Sequence, residues 1–201
     1  MLAIVREAGW PIWPLIATSF IALTLIVERL LALRKSRIAP PRLLEDVLAL
    51  VQKRRITPEI VARLEADSPL GRVLAAGLRN MHRSRAALKD AVEQAGETVA
   101  HGLNRYVGAI GTIAAVAPLM GLFGTVVGMI EIFGSYAPAG SDPAQLAHGI
   151  SVALYNTGLG IFIAIPAMIF YRYFRARIND SLHDLERAAA RLVDAVNDPT
   201  P

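Results

Sequence analysis

The chain has 201 residues, 54% of them hydrophobic and 19% charged, and no cysteine, which excludes disulfide frameworks, zinc ribbons and thiol nucleophiles. Its mean hydropathy of +0.42 points to a membrane protein before any residue is considered. The net charge of +4 does not mark a nucleic-acid face, because fourteen of the twenty-one Lys and Arg residues fall between Arg34 and Arg105, where aromatic residues are nearly absent.

In chain order, a short N-terminal stretch (residues 1–9) precedes a first span over 10–33, whose uncharged core from Trp10 to Val27 is long enough to cross about 30 Å of hydrocarbon. The basic run LRKSR, Leu33 to Arg37, follows the apolar core where a cleavable signal peptide would place small residues at its cleavage site, so retention as an anchor is expected. A basic segment, 34–106, comes next, and a second span over 107–133 carries only Glu131 as a charge. The connection 134–148 contains no Lys or Arg, the third span covers 149–171, and the tail 172–201 opens with Arg172, Arg175 and Arg177. The excess of cations places 34–106 and 172–201 in the cytoplasm, the N-terminus outside and the C-terminus inside. Trp10, Trp13 and Tyr136 suit an outer interfacial belt, and Tyr171 and Tyr173 an inner one.

The polar parts read as helical. Leu88, Val92, Ala95, Val99 and Leu103 recur at helical steps directly before the second span, and Phe174, Ile178, Leu182, Leu185, Leu192 and Val196 after the third. The fold class is therefore all-α, three transmembrane helices with long cytoplasmic helical extensions. Thr57-Pro58 and Ser68-Pro69 each pair an N-cap residue with a first-turn proline, so shorter helices start there.

Small residues mark two packing faces. Gly111, Ala115, Pro118, Gly121, Thr125 and Gly128 form one stripe on the second span, with Gly124 beside it. Ala153, Thr157, Gly160, Ala164 and Ala167 form another on the third. Counting about 1.5 Å per residue from each span's centre puts Thr125 and Thr157 both roughly 4 to 8 Å to the outer side of the midplane. Two readings stand for these hydroxyls: bonds to helix carbonyls, or a polar layer in a helix interior or water-accessible path. Asn156 favours the second, because an amide needs partners that lipid does not supply. Glu131 reads as an interfacial charge near the outer surface or as a buried proton carrier. Glu28 and Arg29 read as a surface pair or as an anchor against the cytoplasmic stalk. His82, His101, His148 and His183 lack metal-ligand spacing, and no paired Asp, Ser with His or metal cluster lies within the spans. Neither a cofactor nor an enzyme is expected; a passive oligomeric scaffold is the plainer alternative.

The segments APLMGLFGTVVGM and ALYNTGLGIFIAIP, with ERLLAL after the first span, resemble the ExbB/TolQ proton-channel subunits, more distantly MotA. The resemblance, closer to ExbB than to TolQ, implies a homopentamer in the bacterial inner membrane around a dimeric, single-span ExbD/TolR-like partner that carries the protonatable aspartate. It implies that Thr125 and Thr157 face that carboxylate and that proton passage drives a TonB- or TolA-like effector, for outer-membrane transport or for envelope maintenance. Val152 stands where many relatives have glutamate, so proton handling by a carboxylate from that position does not carry over.

Overall fold

In a computed structural model, described for residues 9–134 and 143–197, every regular element is an α-helix. Tyr136 and most of the connection 134–148 lie outside the described residues. The helices run α1 (Ile12–Ala32), α2 (Lys35–Ile38), α3 (Leu43–Gln52), α4 (Pro58–Asp67), α5 (Pro69–Arg79), α6 (Arg85–Asn104), α7 (Val107–Gly134) and α8 (Pro143–Asn197). Three stretches among the described residues are long and apolar enough to cross a membrane: α1, the part of Arg85–Gly134 that includes α7, and Gly149–Asn197 within α8.

The described chain forms two compact units, one from residues up to Glu28 with Tyr106–Tyr173, the other from Arg29–Arg105 with the residues after Tyr173. In the first, Leu15 of α1, Ala117 of α7 and Ile163 and Ala164 of α8 make a small apolar core. Around it the surface is oily: Trp13, Phe20, Leu23, Leu119, Phe123, Ile130, Phe162 and Ile169 are all exposed. Water would make such a surface a liability, whereas lipid or neighbouring helices satisfy it.

α7 shows how the spans pair. Its buried positions are Val107, Ile110, Ala114, Ala117, Gly121, Gly124 and Gly128, a seam at steps of three and four. The stripe read from sequence is displaced from this seam. Ala115 is exposed, and Gly111, Pro118 and Thr125 are only partly buried. The reason is local: small residues occupy adjacent positions at 114 and 115, 117 and 118, and 124 and 125, so composition fits two neighbouring faces and only the facing helix selects one. On α8 the buried residues include Ala153, Asn156, Gly160, Ala164 and Ala167, with Thr157 half-buried beside them.

The second unit is built on short helices with explicit starts. Thr57 Oγ1 accepts from Ile60 N at 3.4 Å, and Ser68 Oγ accepts from Gly71 N at 3.1 Å, each ahead of a first-turn proline. α4 and α5 meet closely enough that a Cβ on Gly71 would collide with Leu64 O. α5 is nearly engulfed, with Leu70, Val73, Leu74, Ala75, Gly77 and Leu78 buried. Leu88, Val92, Val99 and Leu103 of α6 and Phe174, Ile178, Leu185 and Leu192 of α8 contribute the remaining core.

The expected continuation of α6 into the second span is interrupted. Arg105 caps α6 in an extended conformation, and Tyr106 has φ 64, a left-handed conformation that side chains with a Cβ rarely adopt. Nothing in the apolar spacing marks this break, because the hydrophobic steps run through it. α8, by contrast, is unbroken for 55 residues and starts six residues before the expected third span.

Candidate functional site

The polar residues of the first unit gather where α7 and α8 run antiparallel and almost touch. A Cβ on Gly121 would lie 2.8 Å from Asn156 O and 3.0 Å from Thr157 Cα, and one on Gly160 would lie 2.6 Å from Ala117 O. One on Gly124 would lie 2.6 Å from Asn156 Cβ, while Gly128 faces Ala153 at ordinary contact distance, 3.5 Å. Gly121 and Gly160 are thus the positions at which backbones approach too closely for any side chain, and Gly124 makes room for the side chain of Asn156. Gly111 has another role, accommodating the ring of Tyr171 at 2.8 Å from its hypothetical Cβ. Ala164 belongs to the small apolar core with Leu15 and Ala117.

Asn156 is fully buried in this contact and donates from Nδ2 to Val152 O at 3.2 Å. Thr157 donates across the helix pair to Gly121 O at 3.3 Å, and Thr125 donates back to Leu122 O at 2.6 Å. Both hydroxyls therefore bond to carbonyls, one within its helix and one between helices. The opposed pairs 121 with 157, 124 with 156 and 128 with 153 put Thr125 level with about residue 155. At ~1.5 Å per residue the two threonines are offset by roughly 3 Å along the helix axes.

The remaining candidates lie elsewhere. Glu131 is exposed near the end of α7, and Val152 is buried. Glu28 is exposed, whereas Arg29 is 7% exposed and donates from Nη1 to Leu103 O at 3.4 Å. Leu103 belongs to the last turn of α6, whose carbonyls lack helical donors, so the guanidinium caps a helix terminus of favourable polarity.

Ala114 and Ala117 complete the α7 seam and were not singled out from sequence, where the adjacent Ala115 and Pro118 fit the small-residue spacing equally well. A cleft of about 760 Å³ lies in the second unit between α6 and the C-terminal part of α8, floored by Val92, Gly96, Leu185 and Val193. It is separate from the polar residues of the spans. No group of three or more His, Cys, Asp or Glu among the described residues is arranged to hold a metal.

Three apolar helices with large exposed apolar faces, two of them closed against each other by glycines around a buried amide and two hydroxyls, define a polytopic membrane protein built for helix association. Residues 65–187 match the model of the MotA/TolQ/ExbB proton channel family. The chain belongs to that family, whose members are proton-channel components. It is 29% identical over 187 residues to an ExbB homolog of Methanothermobacter thermautotrophicus, covering 92% of this chain and 67% of the relative. It is 30% identical over 168 residues to the biopolymer transport protein exbB1 of Vibrio cholerae, covering 81% and 74% of the two chains. A shorter match, 41% over 71 residues, links it to the Tol-Pal system protein TolQ of Haemophilus influenzae, covering 35% of this chain and 31% of the relative.

Proposed function

We propose that this chain is the ExbB-like subunit of an inner-membrane proton motor, with the N-terminus outside and the C-terminus in the cytoplasm. Five copies surround two copies of an ExbD/TolR-like single-span partner, and proton passage along the partner's carboxylates drives a TonB-type effector. The observation that carries this reading is the polar group Thr125, Asn156 and Thr157 at one level of the tightly closed α7 and α8 pair, in a chain of this family.

The chemistry follows from the hydroxyls. Thr125 is half-buried, at the edge of the helix contact, and while its O–H donates to Leu122 O its oxygen retains acceptor capacity. A protonated carboxyl arriving from the partner donates to that oxygen. A deprotonated carboxylate draws the hydroxyl proton toward itself by rotation about Cβ–Oγ1. One side chain thus serves both protonation states in a medium where an unserved carboxylate is costly. Asn156, locked inside the pair, acts as a positioning residue that holds Thr157 at the contact. With Val152 in place of a carboxylate, the proton-carrying group comes from the partner.

Two other readings have specific support. The TolQ match favours an envelope-maintenance motor with a TolA-type effector. The carbonyl bonds of both threonines favour a passive scaffold in which the hydroxyls only pack helices. Co-expression with the single-span partner separates the motor readings from the scaffold. In the motor, Thr125→Val abolishes partner-dependent proton flux while the native mass of a five-to-two complex is retained, and Thr157→Val does the same with weaker assembly. Normal flux in both variants overturns the assignment, as does an oligomer that never binds the partner.

A further inference from the structure

The segment that follows α1 carries a second kind of chemistry. From Arg29 to Leu44 there are five Lys and Arg residues and no Asp or Glu. α1 has 21 residues, so at ~1.5 Å per residue it matches a hydrocarbon thickness of about 30 Å. Trp10 and Trp13 are exposed at its other end, where aromatic rings settle at the headgroup level. The residues just past Ala32 therefore stand at the opposite headgroup layer.

The backbone there is fixed. Leu33 and Ile38 are buried, 4% and 1% exposed, and between them Arg34 O accepts from Arg37 N at 2.9 Å and from Ile38 N at 3.2 Å. This single turn displays Arg34, Lys35, Ser36 and Arg37 outward. Lys35 is already committed, with its Nζ 3.2 Å from an Asp184 carboxylate oxygen. Among the described residues, Arg34 and Arg37 make no ion pair or side-chain hydrogen bond, and both are exposed. Two exposed arginines three residues apart, on a backbone turn held between buried Leu33 and Ile38, offer a phosphodiester anion two planar donor groups.

We propose that Arg34 and Arg37 bind the phosphate of an anionic membrane lipid, such as phosphatidylglycerol. The alternative role of such cations, setting the direction of insertion, needs only charge, which lysine supplies equally. A phosphate fork gains in addition from the planar, bidentate donor that arginine has and lysine lacks. The shared chemistry with a soluble phosphate ion is resolved by depth in the bilayer, because only a lipid presents its phosphate beside the apolar end of α1.

The test is native mass spectrometry of the full chain released from detergent micelles containing phosphatidylglycerol and phosphatidylcholine in equal amounts. Wild type is expected to retain phosphatidylglycerol preferentially, with the preference about tenfold lower in Arg34→Gln/Arg37→Gln. Arg54→Gln/Arg55→Gln, which removes two exposed cations from a turn far along the chain, is expected to leave it unchanged. Equal preference in wild type and the first variant overturns the proposal, as does an equal loss in the control pair. Displacement of the retained lipid by excess inorganic phosphate overturns it in favour of a soluble-anion site. Should the glutamine pair fail to insert, Arg34→Lys/Arg37→Lys carries the test: at least a twofold loss of preference supports the fork, and unchanged preference overturns it.

Discussion

Replacing Gly121 by alanine tests whether backbone proximity holds α7 to α8. The new Cβ would lie 2.8 Å from Asn156 O, 3.0 Å from Thr157 Cα and 3.3 Å from Gly160 Cα, all backbone atoms that cannot rotate aside. Reaching an ordinary separation near 3.5 Å requires the helices to part by about 0.7 Å, which forfeits a quarter or more of the dispersion energy of neighbouring contacts. Overpacking of this kind costs about 1 to 3 kcal/mol. The Thr157 bond to Gly121 O, already 3.3 Å, would stretch beyond hydrogen-bonding distance and remove roughly a further 0.6 kcal/mol. Less the helix-propensity gain of about 0.5 to 1 kcal/mol for a glycine-to-alanine change, the expected loss is about 1 to 3 kcal/mol, read from equilibrium unfolding of the full chain in mixed micelles. Gly96→Ala is the matched control, because nothing lies within 4 Å of a Cβ at Gly96. Helix propensity alone should make that variant ~0.5 to 1 kcal/mol more stable. A Gly121→Ala chain that unfolds like wild type, or a Gly96→Ala chain damaged to the same degree, would refute the argument from close approach.

Gly124→Ala should likewise destabilise, since its Cβ would meet Asn156 Cβ at 2.6 Å, and combining it with Asn156→Gly should recover about 1 kcal/mol beyond additivity in a double-mutant cycle. A strictly additive cycle would remove this contact from the account. Arg29→Met keeps the apolar stem but deletes the donor to Leu103 O, so a loss of roughly 1.5 to 3 kcal/mol and faster amide exchange in the last turn of α6 are expected, with unchanged exchange the contrary result. The Lys35 hydrogen bond, aided by Arg187, holds the Asp184 carboxyl below its ordinary pKa against a modest opposing desolvation. A depressed folded-state value means that the stabilisation is complete above the ordinary carboxylate range and disappears as pH falls through the lower folded value. With Lys35 67% exposed the contribution stays under about 1 kcal/mol, and Lys35→Ala should raise the Asp184 pKa measured by carboxyl carbon NMR; no rise would deny the pairing.

The sequence by itself determined the helical membrane class, because three long apolar runs leave the backbone no other way to satisfy its polar groups in lipid, and hydropathy is a property of each run alone. It determined two helix starts in the same way, since Thr57 and Ser68 act on amides three residues ahead. It also flagged Gly121, Gly124, Gly160 and Asn156, as glycine and amide are costly in a span without a reason. What only the tertiary structure decided depends on residues distant in sequence. Adjacent small residues left the phase of the α7 seam open until α8 selected Ala114 and Ala117 over Ala115 and Pro118. The left-handed turn at Tyr106 has no helix-breaking residue at 105 or 106, so apolar spacing passes through it unmarked. Arg29 could be told from a surface cation only once Leu103, 74 residues away, had brought its carbonyl within reach. Local chemistry sets which segments become helices, and the faces those helices share are fixed by the mutual exclusion of atoms when they pack.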